Sequence, residues 1–441
     1  MQKEALTIAI EALSWMDLRR INERLALSRT AKQLDIREGS TLRHAYRLIM
    51  EVTRRRNALD HLAVQALGRE EFEALNLGVR SFLRVYISEV KYGECPYNEA
   101  VEMAEHARDI LGTRELAPVE EALDILLHLE IQLEGLPDDE ATALRTFHPA
   151  WYVRYCTELL GRDEALRLLQ APDPPTYVRV NTLKGSDEDI RERLRLEGVE
   201  LEEEPGLEHV LRVTDEPRPM NLLDAHRDGL FTVQDKASAL AGLVAAPEPG
   251  MTVLDVCAAP GGKTGHLAQL MENRGRILSM DFSERRLDTW RREMTRLGVG
   301  NAVPVLGDAR KPRVFPDVKA DIVLVDPPCT GTGTFNRAPS GKWRLTSRSI
   351  DRMRLIQRRI LYNCADHVAE EGSIVYCTCS VTAEENEVVI RNFLQVHGDF
   401  ELVEAEPRLG LPGLMGQDSA QRLYPHIHRC NGFYLAKLAR R

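Results

Sequence analysis

Apolar positions recur three and four residues apart through the first third of the chain. HAYRLIMEVTRRRNALDHLAVQAL (44–67) and LNLGVRSFLRVYISEV (75–90) show this spacing with no strand-like alternation, which predicts an all-helical domain over residues 1–143. The pattern changes over 148–247. A Pro-rich break, APDPPTYVRVNTLK, is followed by a charged helix, SDEDIRERLRLEG, and by short strand-like pieces such as HVLRVT, so this stretch reads as a small α+β module. From 248 to 441 strands alternate with helices. TVLDV, RILSM, AVPVL, DIVLV and SIVYCT are separated by helical runs such as SERRLDTWRREMTRLG, and this predicts an α/β domain with a mostly parallel, doubly wound sheet. No internal repeat is visible.

In such a sheet ligands bind beyond the carboxyl ends of the strands, so the residues that follow each strand are the ones to read. After the first strand, Cys257-Ala258-Ala259-Pro260-Gly261-Gly262-Lys263-Thr264 makes a small-residue turn into a helix, where a ligand can approach the backbone closely. It is neither of the familiar nucleotide loops. A Walker A loop needs Gly where Cys257 stands, and the G-x-G-x-x-G fingerprint is absent. A strand-to-helix turn without a ligand is the plainer alternative. The second strand ends in Asp281, placed like the acid that accepts hydrogen bonds from both ribose hydroxyls in nucleotide-binding α/β domains. Asp308, after the third strand, stands where a side chain meets the exocyclic amine of adenine. For both acids the competing reading is an Asp that caps a helix at the surface. A Gly-rich turn without phosphate-binding features, followed by two acids, suits a phosphate-free adenosine ligand such as S-adenosylmethionine. No metal is expected.

The fourth strand ends Val325-Asp326-Pro327-Pro328-Cys329-Thr330-Gly331-Thr332-Gly333 and the fifth Tyr376-Cys377-Thr378-Cys379-Ser380, which brings two cysteines to one sheet edge. That pairing has a chemical meaning. Carbon 5 of cytosine is a poor nucleophile, and methylating it requires a thiolate to add at C6 and suspend the aromaticity of the ring. A second thiol near C5 can then help to remove the C5 proton. Buried packing is the ordinary fate of a cysteine, and is the reading for Cys95, Cys156, Cys257, Cys364 and Cys430.

Taken together, Asp-Pro-Pro-Cys with its Thr-Gly-Thr-Gly tail, Thr378-Cys379-Ser380 followed by Glu384-Glu385-Asn386, and the Ala-Ala-Pro-Gly-Gly-Lys-Thr loop resemble the RNA 5-methylcytosine methyltransferases of the RsmB (Sun/Fmu) type. Upstream, His148-Pro149-Ala150-Trp151, Arg179-Val180-Asn181 and Gly229-Leu230-Phe231-Thr232-Val233-Gln234-Asp235 look like that family's RNA-binding module, and the helical first part is similar, more loosely, to a NusB-like domain. The resemblance implies a Rossmann-like methyltransferase fold, with Cys379 as nucleophile, Cys329 as assistant in product release and Asp326 at the cytosine edge. It also implies that Cys257, Ala258, Ala259, Pro260, Gly261, Gly262, Lys263, Asp281, Asp308 and Asp326 line the cofactor site, with Lys263 near the catalytic centre. The chain departs from the pattern twice. Cys377 stands where bacterial members commonly carry Ala, and Asp-Pro-Pro-Cys replaces their usual Asp-Ala-Pro-Cys.

Charge and composition adjust this picture only locally. The net charge of −10 gives no global sign of a nucleic-acid partner, yet Arg337, Lys342, Arg344, Arg348, Arg352, Arg354, Arg358 and Arg359 face a single acid, Asp351, within one segment. A solvated helix face is the bland alternative. Together with the module around Arg179, the segment is expected to follow an RNA backbone. Eight cysteines without a C-x-x-C pair exclude a disulfide scaffold or a zinc knuckle, and the first residues lack a signal peptide's apolar core. A cytoplasmic protein is therefore expected, with no membrane partner and a monomer as the default state. Ribosomal RNA is the favoured substrate class and transfer RNA the second. An exocyclic-amine methyltransferase and a non-catalytic RNA-binding assembly factor remain as alternatives, though neither uses both cysteines.

Overall fold

The computed structural model describes residues 2–311 and 318–441, which form two compact units. One holds the chain up to Gln170 together with Phe335–Arg344, and the other holds Ala171–Thr334 and Leu345–Arg441. Among the described residues no helix is long and apolar enough to cross a membrane.

The first unit is helical, from Lys3–Arg19 to Arg162–Leu169. Its core forms where the apolar stripes of Gly39–Leu67 (Leu48, Val52, Leu59) and Leu77–Tyr92 (Phe82, Leu83) meet. Asn22 and Asn76 start their helices by accepting hydrogen bonds from Leu25 N and Val79 N. Inside, the buried Arg84 guanidinium donates to both carboxylate oxygens of Asp60 and to Asp17. The segment 335–344 is stitched into this unit by polar contacts. Lys342 Nζ donates to Arg54 O (3.1 Å) and Phe147 O (2.8 Å), Trp343 Nε1 to Thr53 O (2.6 Å), and Arg344 Nη1 to Arg20 O (2.9 Å). Lys342 is buried there, so the expectation that it faces an RNA phosphate is corrected.

The second unit carries two sheets. Strands β1 (Tyr177–Val180), β2 (Glu200–Glu203), β3 (Val210–Asp215) and β4 (Phe231–Val233) pair antiparallel in the order β2-β3-β1-β4. The larger sheet comprises β5 (Thr252–Val256), β6 (Arg276–Asp281), β7 (Ala302–Leu306), β8 (Ala320–Val325), β9 (Val368–Thr378), β10 (Phe400–Val403), β11 (Leu411–Pro412), β12 (Gln421–Leu423) and β13 (Phe433–Arg440). Their order is β11-β12-β13-β9-β8-β5-β6-β7, with β10 paired to β13. From β9 across to β7 the pairing is parallel, and the strands beyond β9 run antiparallel. Alternate residues feed opposite faces: Val253, Ile322 and Val375 pack on one side, and Leu254, Val323 and Ile374 on the other. With both faces covered by apolar clusters, the central strands β5 and β8 read as near-continuous apolar runs.

Because β5 lies between β6 and β8, the strand order reverses at β5 and opens a crevice at its carboxyl end. The turn that begins at Cys257 sits there. Arg179 lies beneath that turn, on β1, only 1% exposed. It donates from Nε to Gln234 Oε1 (2.7 Å), from Nη1 to Gln269 Oε1 and from Nη2 to Gly262 O (3.4 Å). Its expected contact with RNA phosphate is thus corrected. Burial depresses its pKa to about 9, and three side-chain and backbone acceptors hold it in place. Asn181 is likewise internal, with Nδ2 donating to Gly229 O and Leu297 O.

Candidate active site

The turn after β5 starts with Cys257 at a left-handed φ of 68° and reaches the helix Gly262–Leu270 through Gly261 at φ 112°. That φ is one L side chains rarely adopt, so the backbone angle demands glycine here. The start of the helix is tied to β5 by a hydrogen-bonded chain, Trp290 Nε1 to Thr264 Oγ1 (3.0 Å) and Thr264 Oγ1 to Asp255 Oδ2. Burial raises the pKa of Asp255 to about 7 despite the Thr264 hydrogen bond and the nearby Lys263.

Two cavities open at this edge of the sheet, and Cys257 borders both. The larger, about 300 Å³, is lined by the 257–263 turn without Gly261, together with Asp326 and Cys379. The smaller, about 160 Å³, has Asp281 and Asp308 at its polar end and Phe282, Pro328, Ile356 and Ile360 as walls. Asp281 is buried. Its Oδ1 accepts from Ser283 N (3.1 Å), whereas Oδ2 has no hydrogen-bond donor and Arg286 Nη2 stands 3.4 Å away as an ion contact only. A buried carboxylate oxygen without a donor beside an apolar slot fits a ribose diol next to an adenine ring, so these residues suit S-adenosylmethionine. Asp308 differs from expectation in one respect. Arg310 already donates to both its oxygens (2.8 Å each) and holds its carboxyl below the ordinary range, so an adenine amine has to share those lone pairs. No group of three His, Cys, Asp or Glu side chains is placed to hold a metal among the described residues.

Lys263 and Asp326 meet across the larger cavity, with Nζ donating to Oδ2 at 2.7 Å. Burial disfavours the Lys263 charge, but Asp326, through its charge and its hydrogen bond, together with Cys377 and Cys379 outweighs it and keeps the ammonium above its ordinary pKa. At the ends of the neighbouring strands β8 and β9, the sulfurs of Cys329 and Cys379 lie 3.0 Å apart as free thiols. The hydrogen bond to Cys379 and burial together raise the Cys329 pKa well above the usual thiol range. Cys377, two residues before Cys379 and in the same apolar cluster, is buried with Sγ 3.9 Å from Asp326 Oδ1. Burial raises its pKa too. Cys156 and Cys364 are pushed up to about 12 by burial, as inert packing thiols are.

Residues 242–439 match the family described as 16S rRNA methyltransferase RsmB/F, and residues 148–220 match the RsmF/B-like ferredoxin-like domain. The chain belongs to the RsmB/F methyltransferase family. It is 30% identical to the probable ribosomal RNA small subunit methyltransferase B of Bacillus subtilis, over 70% of this chain and 72% of that one. A Synechocystis protein of the same description is 29% identical over 98% and 99% of the two chains, so the helical first third is shared as well. The solved structure of PH0851 covers 99% of each chain at 29% identity with a TM-score of 0.85, which extends the likeness to the fold of the whole chain.

Within this family framework two residues went unread in the sequence. Glu385, noted only as part of a motif, is fully buried and binds the loops that carry Cys329 and Cys379. Its Glu-Glu-Asn setting gave a positional signal but no role. Glu387 was missed outright; it forms a buried ion pair with Arg422 of β12 and so fastens the antiparallel edge behind the Cys379 loop.

Proposed function

We propose that the chain is an S-adenosylmethionine-dependent cytosine-C5 methyltransferase of small-subunit ribosomal RNA. The observation that carries this reading is the pair of sulfurs 3.0 Å apart at two strand ends, beside the Lys263–Asp326 pair. An exocyclic-amine methyltransferase has no use for such a pair, and a non-catalytic assembly factor has no use for the cavity. The relatives' description as small subunit rRNA methyltransferases supports the substrate class.

When bound, S-adenosylmethionine supplies an electrophilic methyl group; the 257–263 turn and Asp281 would hold it, with Asp308 at the adenine end. The Cys379 thiolate adds to C6 of a cytosine turned out of its RNA stack, which makes C5 nucleophilic. Asp326 keeps Oδ1 free of Lys263 and accepts a hydrogen bond from the cytosine edge. Addition converts the Cys379 thiolate to a neutral thioether and ends the sharing of a proton between the two sulfurs. Cys329 then releases its proton to solvent, and its thiolate takes the proton from the methylated C5. The C5–H electrons restore the C5–C6 double bond, the C6–S bond breaks, and its pair returns to Cys379. Cys329 is left protonated and Cys379 ionised, as at the start.

The resemblance of the 148–247 module to the family's RNA-binding module, and the looser one of the helical part to a NusB-like domain, support a role for both in RNA engagement. Digestion of small-subunit rRNA after incubation with the protein and isotopically labelled cofactor, followed by nucleoside mass spectrometry, tests the reading. Labelled 5-methylcytidine is the expected product, and label on an exocyclic amine alone contradicts it.

A further inference from the structure

A single carboxylate joins the two loops that present the thiols. Glu385 is fully buried, with no ion-pair partner among the described residues. Its Oε1 accepts from Thr330 N (2.8 Å) and Gln357 Nε2 (2.9 Å). Its Oε2 accepts from the hydroxyls of Thr330, Ser380 (2.7 Å) and Thr382 (2.8 Å). Thr330 follows Cys329, and Ser380 follows Cys379. Gln357 adds a second hold on the first loop through Pro328 O (3.0 Å). A buried anion without a cation is costly to keep, and here hydrogen bonds to both loops are what compensates it.

We propose that Glu385 is a positioning residue that sets the register of the two thiols by tying the Cys329 loop to the Cys379 loop. The proposal rests on the reading of that pair as the catalytic one. The geometry also says which substitution preserves the function. Both partners of Oε1 are N–H donors, which a glutamine oxygen accepts equally well. All three partners of Oε2 are hydroxyls, and a glutamine NH₂ has two hydrogens to donate to two of them once they rotate to accept. Glu385→Gln therefore keeps both ties at Oε1 and two of the three at Oε2, still spanning the two loops while losing the charge, and Glu385→Ala loses every tie.

The test measures thiol register directly, without RNA. Full-length protein carrying Cys377→Ala is treated with diamide, a diazene that oxidises a neighbouring thiol pair to a disulfide while being reduced to the hydrazine. Peptide mass spectrometry then follows the Cys329–Cys379 cross-link. Glu385→Gln is expected to cross-link at the parent rate. Folded Glu385→Ala should be slower by about tenfold or more, on the scale of a lost buried tie, and should lose kcat by about a hundredfold with KM for RNA unchanged. Should Glu385→Ala not fold, Thr330→Val removes one hydroxyl tie without changing shape, and slower cross-linking with slower clearance of the RNA–protein adduct is expected. Parent cross-linking and kcat in folded Glu385→Ala overturn the proposal, as does parent behaviour in Thr330→Val. Equal damage in Glu385→Gln and Glu385→Ala overturns it too, because it would assign the effect to charge. If the parent protein makes no 5-methylcytidine, the functional reading fails, whereas the cross-linking result still decides whether Glu385 sets the register.

Discussion

Thr264 donates its hydroxyl hydrogen to Asp255, a carboxyl group buried at the end of β5 whose second oxygen, Oδ1, has no partner. The folded protein holds a proton on this group up to about pH 7, whereas the unfolded chain releases it near the ordinary value of 3.8. The folded state binds the extra proton, so its stability falls as pH rises between those values. Asp255→Asn imitates the protonated form. The variant should match the parent near pH 4 and exceed it above pH 7, with an upper limit on the order of 4 kcal/mol. Chemical denaturation across this range checks the sign, and a variant that loses ground to the parent as pH rises contradicts it.

Asp281 offers a buried oxygen without a donor to the ribose diol of the cofactor. Removing an acceptor that pairs with two hydroxyls should weaken S-adenosylmethionine binding by about a hundredfold in Asp281→Ala, since each charge-assisted hydrogen bond contributes ~1.5–3 kcal/mol. Titration calorimetry on the folded variant measures this. Parent affinity would remove Asp281 from the cofactor site.

The basic segment divides once its environment is known. Lys342 and Arg344 serve the first unit and Arg354 pairs with Asp351, but Arg348, Arg352 and Arg359 are exposed, without an ion-pair partner among the described residues. They lie four and seven residues apart, on one stripe of the helix Ser347–Ala365, whose Ile356 and Ile360 wall the smaller cavity. Reversing all three to Glu should weaken RNA binding and make its dependence on salt shallower by roughly two logarithmic units per unit, with kcat at saturating RNA largely kept. An unchanged salt slope would mean that this stripe is only solvated surface.

Strands β5, β6, β8 and β9 were legible in the sequence because burial on both faces writes an apolar run of the right length, and the edge strand β7 was legible from its short apolar run AVPVL alone. The antiparallel edge was not. β11 is two residues long, β12 three, and β13 mixes Lys437 and Arg440 into its apolar run, so neither length nor period announced them. The thiol pair could be placed because strand order alone brings the ends of β8 and β9 together. What fixes its register could not, because Glu385 reaches Thr330 across 55 positions and a buried acid is the exception among glutamates. Arg179 failed by the same rule in reverse: an arginine in a module expected to bind RNA is read as a phosphate contact, and only the fold shows it turned inward beneath the Gly262 turn.

The central claim is the division of labour between Cys379 and Cys329, and denaturing electrophoresis of protein incubated with RNA and S-adenosylmethionine tests it most directly. Without the Cys379 thiolate nothing adds to C6, so Cys379→Ala should form no covalent complex and transfer no methyl group. In Cys329→Ala addition and methyl transfer remain open while removal of the C5 proton fails, so methylated RNA should stay bonded to Cys379 and migrate with the protein. That band should vanish in the Cys329→Ala, Cys379→Ala double variant and persist when Cys377→Ala is added to Cys329→Ala. A trapped complex that survives Cys379→Ala, or depends on Cys377, would contradict the account.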